Sequence, residues 1–134
     1  MIEYKKGYKY QLCRSYTLDG VQVGQKSIKT PYIVLTQTGK LTIRSGYAWD
    51  GASGIAPDLK TNMRGSLIHD VLCQLIRQGY LKKSVYDKTC DIFIKVCRED
   101  GMGRIMAKLH SIGVRTGIAK RIATGKPKKV YTAP

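Results

Sequence analysis

A histidine and two aspartates stand in stretches of the chain that are otherwise apolar. His69 and Asp70 are adjacent inside one run with helical periodicity, and Asp91 lies inside a second such run further along. Burying a charge without a partner is costly, so acids and a histidine in apolar stretches suggest a shared polar site. These three residues are therefore the first candidates for a functional site.

His69 and Asp91 are the candidate catalytic residues. Only a short connection separates the two apolar runs, which favours an antiparallel helical hairpin. At 1.5 Å rise per residue the two side chains fall at nearly the same height, roughly 13 and 10 Å from the connection. Asp91 would then accept a hydrogen bond from one imidazole nitrogen and leave the other to take a proton from water or a substrate. This geometry predicts a hydrolase-like site.

Asp70 is a candidate metal ligand, because it points about 100° around the helix from His69. A hard cation such as calcium takes several oxygen ligands, many of them backbone carbonyls. The small, glycine-rich stretch that contains Asp50, Gly51 and Gly54 would provide them. Calcium is thus the candidate cofactor.

Two other interpretations use the same residues. In the first, His69, Asp70, Asp91 and Asp50 form a buried polar network that connects a loop to the helices and does no chemistry. Such networks are common, because buried polar groups need hydrogen-bond partners. In the second, His69, Cys73 and Cys90 hold zinc, although a dependable fourth ligand is missing.

The chain is strongly basic. Its 134 residues, 43% of them hydrophobic, are enough for one compact core and too few to favour two domains. Lys and Arg number 24 against 9 Asp and Glu, a formal charge of +15, which favours contact with an acidic protein face, nucleic acid or phospholipid headgroups. Near the end, Lys126, Lys128 and Lys129 are candidate anion-binding residues in a mobile basic tail over residues 125–134.

Cysteine spacing and hydropathy predict a protein made in a cytoplasm that keeps thiols reduced. The four cysteines lack C-x-x-C spacing, and the first residues contain no apolar signal-peptide core. No apolar stretch approaches the roughly 20 residues of a transmembrane helix.

The elements that must position these residues change from strands to helices along the chain. Alternation over residues 8–13, 21–23, 32–37 and 40–44 predicts two hairpins in a small antiparallel sheet. Helical periodicity then runs from Asn62 to a stop at Gly79, from Ser84 to about Asp100, and through a basic third helix that Ile118 and Ile122 would continue. The prediction is one α+β domain over residues 1–124, followed by the tail.

Four segments resemble a family of small bacteriophage and prophage proteins of unknown function. They are residues 46–53 with D-G-A-S, residues 66–73 with H-D, residues 90–93 and residues 114–117. Members of that family share a D-G-A-S loop, an H-D helix, an A-D-x-x-F-like helix and a closing V-R-x-x-G. The resemblance covers about residues 46 to 117 and implies a phage origin, with localisation in the host cytoplasm or, after assembly, in the virion.

The order of loop, H-D pair and later aspartate is also similar to the active site of phospholipases A2. In that family the histidine activates water, the adjacent aspartate binds calcium with loop carbonyls, and the distant aspartate orients the histidine. The resemblance implies these roles for His69, Asp70 and Asp91, with Gly51 and Gly54 in the loop. It departs from the family at Cys73, where a tyrosine is usual, and in lacking the disulfide cysteines that flank the histidine.

Two functions follow as hypotheses. The first is a phage-encoded accessory protein with a cation-assisted hydrolase-like site. The second is a non-enzymatic virion, tail or assembly component that binds an acidic protein or DNA through its basic surface, although no nucleic-acid recognition motif accompanies the charge. An exposed sheet edge would also permit a homo-oligomer.

Overall fold

The computed structural model describes residues 2–4, 10–24, 26–52, 57–116, 120 and 131–133. Within these ranges short strands precede three α-helices, so the predicted α+β fold class is confirmed. The strands are β1 (Ile2–Tyr4), β2 (Tyr10–Gln11), β3 (Tyr16–Leu18), β4 (Ile28–Lys29), β5 (Ile33–Leu35), β6 (Leu41–Ile43), β7 (Ala48–Trp49) and β8 (Tyr131–Ala133). The helices are α1 (Met63–Arg77), α2 (Tyr86–Glu99) and α3 (Arg104–Arg115), and a 3₁₀ turn over Lys83–Val85 leads into α2.

The main sheet has four antiparallel strands in the order β3-β6-β5-β4. Its centre is the predicted hairpin of β5 and β6, which turns at Gly39 with a φ of 95°. The alternating pattern places the apolar side chains of both strands on one buried face, and these are Ile33, Leu35, Leu41 and Ile43. This face forms one side of the hydrophobic core.

The first predicted hairpin is wrong. Residues 21–23 are not a strand. The strand that pairs with β6 on the side away from β5 is β3, in the register Tyr16↔Ile43 and Leu18↔Leu41. Val21 and Val23 alternate because both are buried, but burial does not require them to join a ladder. The alternation of residues 21–23 therefore indicates which side chains are buried, but it does not show that the segment pairs as a strand.

Two further strand pairs connect distant parts of the chain. β2 pairs with β7, which brings Tyr10 beside Trp49, and β1 pairs with β8. Residues 131–133 belong to the predicted mobile tail, yet the structure places them in β8. Lys126, Lys128 and Lys129 lie outside the described residues, as does the predicted continuation of the third helix through Ile118 and Ile122.

The three helices complete the core. α1 ends at Arg77, with Gln78 as its C-cap. Gly79, the predicted stop, follows with a φ of 81°. α1 and α2 form the expected hairpin and α3 packs on α2. Among the described residues, no helix has the length and apolar character needed to cross a membrane.

Candidate functional site

His69 faces the interior of the helical hairpin. Its side chain is only 3% exposed, and its ring lies against Phe93 and Tyr86 of α2, with ring centroids 5.3 and 5.8 Å away. One turn further along α1, the Cys73 sulfur lies 3.6 Å from Nδ1 and 3.8 Å from Nε2. His69 is thus enclosed by two aromatic rings and a thiol.

Asp70 turns away from this enclosure, as its place next to His69 on the helix requires. Its side chain is about one third exposed, and its Oδ1 lies 4.0 Å from His69 Nδ1. That distance is at the outer limit of an ion pair and beyond hydrogen-bond length. Asp70 is therefore a neighbour of the histidine and not its hydrogen-bond partner.

The predicted hydrogen bond from His69 to Asp91 is wrong. Asp91 is exposed, and its carboxylate accepts a hydrogen bond from Arg115 of α3. The reason is the register of α2: Phe93 faces α1, and Asp91 lies two residues earlier, about 200° around the helix. The aspartate and the histidine share a layer, as expected, but they point to different sides of it.

This arrangement lacks the geometry of a His–Asp general base. Such a base needs a group that orients its ring and a free nitrogen within reach of water or substrate. At His69 the nearest sulfur contacts both nitrogens, and burial shields the ring. Burial, reinforced by the charge of Asp70, raises the pKa of the Cys73 thiol far above its usual range, so the thiol stays protonated at neutral pH.

The predicted zinc site of His69, Cys73 and Cys90 is not formed by the described residues, whereas the predicted calcium site stays a prediction. Among them, no three His, Cys, Asp or Glu side chains come close enough together to hold a metal ion. Burial also raises the pKa of Cys90 to about 11, which keeps this predicted zinc ligand in its protonated form. Gly54, which was expected to supply a carbonyl to calcium, lies outside the described residues.

Asp58, not Asp50, organises the glycine-rich loop. Its Oδ1 accepts a hydrogen bond from the backbone N–H of Ala52 at 2.9 Å, and its Oδ2 accepts one from the Tyr10 hydroxyl at 2.6 Å. The hydrogen bond from Tyr10, together with burial, raises the pKa of that phenol above its ordinary value. Gly51 has a φ of 73° and lies directly against the carboxylate. The described start of the loop, at Gly51 and Ala52, thus contacts an acid of the same chain.

A second group of hydrogen bonds, centred on Asn62, connects the residues after this loop to α3. Asn62 is fully buried, accepts a hydrogen bond from the Leu59 N–H, and donates to the Pro57 carbonyl. Its amide nitrogen also lies 3.2 Å from His110 Nε2, while His110 Nδ1 lies 2.9 Å from the Met106 carbonyl. These partners fit a neutral ring protonated at Nδ1. The contact between Asn62 and His110 could not be predicted from the sequence, because the two residues are 48 positions apart.

The buried polar side chains of the described residues are satisfied. None of their buried nitrogen or oxygen atoms lacks a hydrogen-bond partner. Ser66 is an example, because it accepts from the Trp49 indole N–H at 3.2 Å and donates to the Met63 carbonyl. A fully paired network of this kind stabilises and specifies a core. Its members differ from the predicted network, since Asp91 pairs with Arg115 and Asp70 lies beyond hydrogen-bond length of His69.

Two arginines of the helices engage most of the acids on α2. Arg64 of α1 donates to both oxygens of Asp100 and to Glu99, and these hydrogen bonds raise its pKa. Arg115 of α3 pairs with Asp91 and Asp87. The carboxylates of Asp87, Asp91, Glu99 and Asp100 are therefore engaged by arginines of the same fold.

The outer face of α3, formed by Ile105, Met106, Leu109 and Ile112, is apolar and exposed. The exposed fractions of these side chains are 82%, 43%, 58% and 53%, in that order. The opposite side of the same helix is buried in the core through Ala107, His110 and Val114. α3 therefore has apolar residues on two faces. Only one of these faces is covered by the rest of the described chain.

The chain matches no family model, no curated protein and no solved structure. The resemblance of residues 46–117 to a phage family and that of the His–Asp spacing to phospholipases A2 consequently stay predictions. Function has to be argued from the geometry.

Proposed function

We propose that this protein is a non-enzymatic accessory component, encoded by a phage, that docks on an acidic partner protein through the outer face of α3. One observation carries the proposal: four large apolar side chains lie exposed on one side of a helix whose other side is in the core. Contiguous exposed apolar surface with a polar rim is typical of interaction sites. Single apolar residues scattered over a surface are common in proteins and would not indicate a binding site.

The charge beside this face indicates the chemistry of the partner. Arg104 and Lys108 are exposed and lie along one edge of the outer face, at one turn's spacing. Residues 101–134 contain eight Lys or Arg and no Asp or Glu. A partner segment with apolar residues flanked by carboxylates complements both properties, since charge complementarity steers association and excludes wrong partners.

Two other occupants fit this face less well. Duplex DNA presents phosphates to a protein, and these are bound by basic and polar side chains, not by a row of isoleucine and leucine. A second copy would bring together the cations of two chains that each carry a formal charge of +15. An acidic amphipathic helix laid along α3 avoids both conflicts.

Two further observations support a non-enzymatic role and a phage origin. His69 is buried among Phe93, Tyr86 and Cys73, and its predicted orienting acid pairs with Arg115. The phage origin rests on the ordered resemblance of residues 46–117, which includes the D-G-A-S loop and the H-D helix.

A binding titration with a defined probe tests the proposal. The probe is a fluorescent helical peptide with leucines along one face and glutamates elsewhere, and its companion carries glutamine in place of glutamate. We expect the acidic peptide to bind more tightly than the companion, and Ile105→Ser with Leu109→Ser to weaken binding at least tenfold, since each buried leucine or isoleucine contributes about 1.5–3 kcal/mol.

Leu59→Ser is the matched control, because Leu59 is also exposed but lies outside α3. It should leave the affinity for the acidic peptide unchanged. Equal affinity for both peptides, or equal losses in the control and in the outer-face variant, would contradict the proposal. Tighter binding to duplex DNA or to anionic vesicles than to the peptide would assign the face to a different partner.

A further inference from the structure

A groove lined by lysines lies on another part of the surface. Its described lining comes on one side from residues 22–24, 26 and 28, before and within β4, and on the other from residues 79–82, 85 and 88, around the connection of α1 and α2. Its volume is about 680 Å³, which is within the range of small-molecule sites. We call it the lysine groove after Lys26, Lys82 and Lys88, which line it.

The floor of the lysine groove is apolar and held in place. Val23, Ile28 and Leu81 are buried there. The two walls meet where the Leu81 side chain approaches Gly24 so closely that a Cβ at residue 24 would lie 3.0 Å from it. The Leu81 N–H also donates to the Leu75 carbonyl at the end of α1. These contacts hold Leu81 of the floor against both Gly24 and the end of α1.

The rim of the groove carries uncompensated positive charge. All three lysines are exposed, no Asp or Glu is among the described lining residues, and none of the three lysines forms an ion pair within the described part of the chain. Lys88 lies in the first turn of α2, where the helix dipole disfavours a cation. Asp87 in the same turn is engaged by Arg115 of α3. An anion in the groove would relieve this repulsion.

An exposed aromatic ring stands at one end of the groove. Tyr80 is about half exposed and also borders a neighbouring groove of about 620 Å³, whose described lining has no charged residue. Of the two grooves that Tyr80 borders, the lysine groove is thus the one with described cationic lining. A ring beside a cationic rim suits a ligand that joins a planar aromatic group to a phosphate.

We infer that the lysine groove binds a small molecule with a phosphate group and an aromatic ring, of which a nucleotide is the simplest example. The phosphate lies among Lys26, Lys82 and Lys88, and the ring lies on the apolar floor beside Tyr80. No residue of this groove belongs to the outer face of α3, so this site and the proposed docking function can fail independently of each other.

Isothermal titration of the full chain tests the inference with four probes: ATP, AMP, inorganic phosphate and adenosine. We expect ATP to bind most tightly and AMP more tightly than either phosphate or adenosine, because only the nucleotides use rim and floor together. Lys82→Gln should weaken ATP binding about tenfold, the usual effect of losing one charge-assisted contact. Tyr80→Ser should weaken ATP and AMP but not phosphate.

Lys95→Gln is the matched control, since it removes the same charge from an exposed position of α2 outside the groove. It should leave ATP binding unchanged. Equal weakening by Lys95→Gln and Lys82→Gln would show that ATP responds only to net charge and would overturn the inference. No heat of binding for ATP at about 1 mM would overturn it as well. Phosphate binding as tightly as ATP would remove the aromatic ring from the proposal.

Discussion

Asp58 is the residue on which the conformation of the glycine-rich loop depends. Its carboxylate joins the loop backbone at Ala52 to the hydroxyl of Tyr10 in β2. Gly51 makes this possible in two ways, because its φ of 73° disfavours other residues and because it leaves room for the carboxylate. Gly51 and Ala52 of the D-G-A-S sequence thus have a structural explanation in their contacts with Asp58.

Gly51→Ala is expected to destabilise the protein by roughly 2–4 kcal/mol. A left-handed φ alone costs an alanine about 1–2 kcal/mol, and its Cβ would also collide with the Asp58 carboxylate, whose Cγ would be 2.9 Å away. Urea denaturation measures the change. Gly20→Ala is the control, since Gly20 has a φ of 79° but open space around it. Equal losses in the two variants would show that Asp58 does not press on the loop.

The contact between α1 and α2 is the feature that matters most at the scale of elements. Gly65 lies where α1 approaches Phe93 and Cys97 of α2, so closely that a Cβ there would be 2.8 Å from the Cys97 sulfur and 3.1 Å from the Phe93 ring. Phe93 in turn contacts His69 on one side and His110 on the other. The glycine therefore permits the close approach of α1 to Phe93 and Cys97 of α2.

Gly65→Ala is expected to lower the free energy of unfolding by about 1–3 kcal/mol. The direction is informative, because alanine in place of glycine inside an unconstrained helix would stabilise it by up to about 1 kcal/mol. Chemical denaturation of Gly65→Ala, Cys97→Ala and the double variant measures the coupling. We expect the double variant to lose less than the sum of the single variants, since removing the sulfur makes room for the methyl group. Strict additivity, or a stabilised single variant, would refute the contact.

At the scale of the whole molecule, the charges of the described residues include internal ion pairs and two cationic surfaces, the lysine groove and the edge of α3. Arg64 and Arg115 hold the carboxylates of α2, whereas the lysine groove and the edge of α3 have cations without such partners among the described residues. With a formal charge of +15, the molecule attracts anions and repels metal ions.

Divalent cations are therefore expected to leave the melting temperature unchanged. A metal that binds only the folded state raises the melting temperature by mass action, and no group of three ligand side chains exists among the described residues to provide that gain. Thermal melts with calcium, magnesium, zinc or EDTA measure the effect, with Asp70→Asn beside the wild type. A rise that is specific for one cation and disappears in Asp70→Asn would instead establish the calcium site that the sequence suggested.

Sequence patterns predicted the helical elements and the central hairpin because these depend on local signals. The apolar period of α1, its stop at Gly79 and the turn at Gly39 are each contained within a few residues. The apolar stripe of α2 also contained a signal that the first interpretation overlooked. Phe93 faces α1, and this already placed Asp91 on a different side of the helix from His69.

The α+β order, the α1–α2 hairpin and the excess of positive charge can be read from periodicity, turn residues and composition, since these do not depend on the rest of the fold. The pairing of β3 with β6, the pairing of Asp91 with Arg115 and the contact of Asp58 with Ala52 become evident only in the folded chain. It also decided which side of α3 stays uncovered. These are choices among partners distant along the chain, and packing of the whole core selects among them.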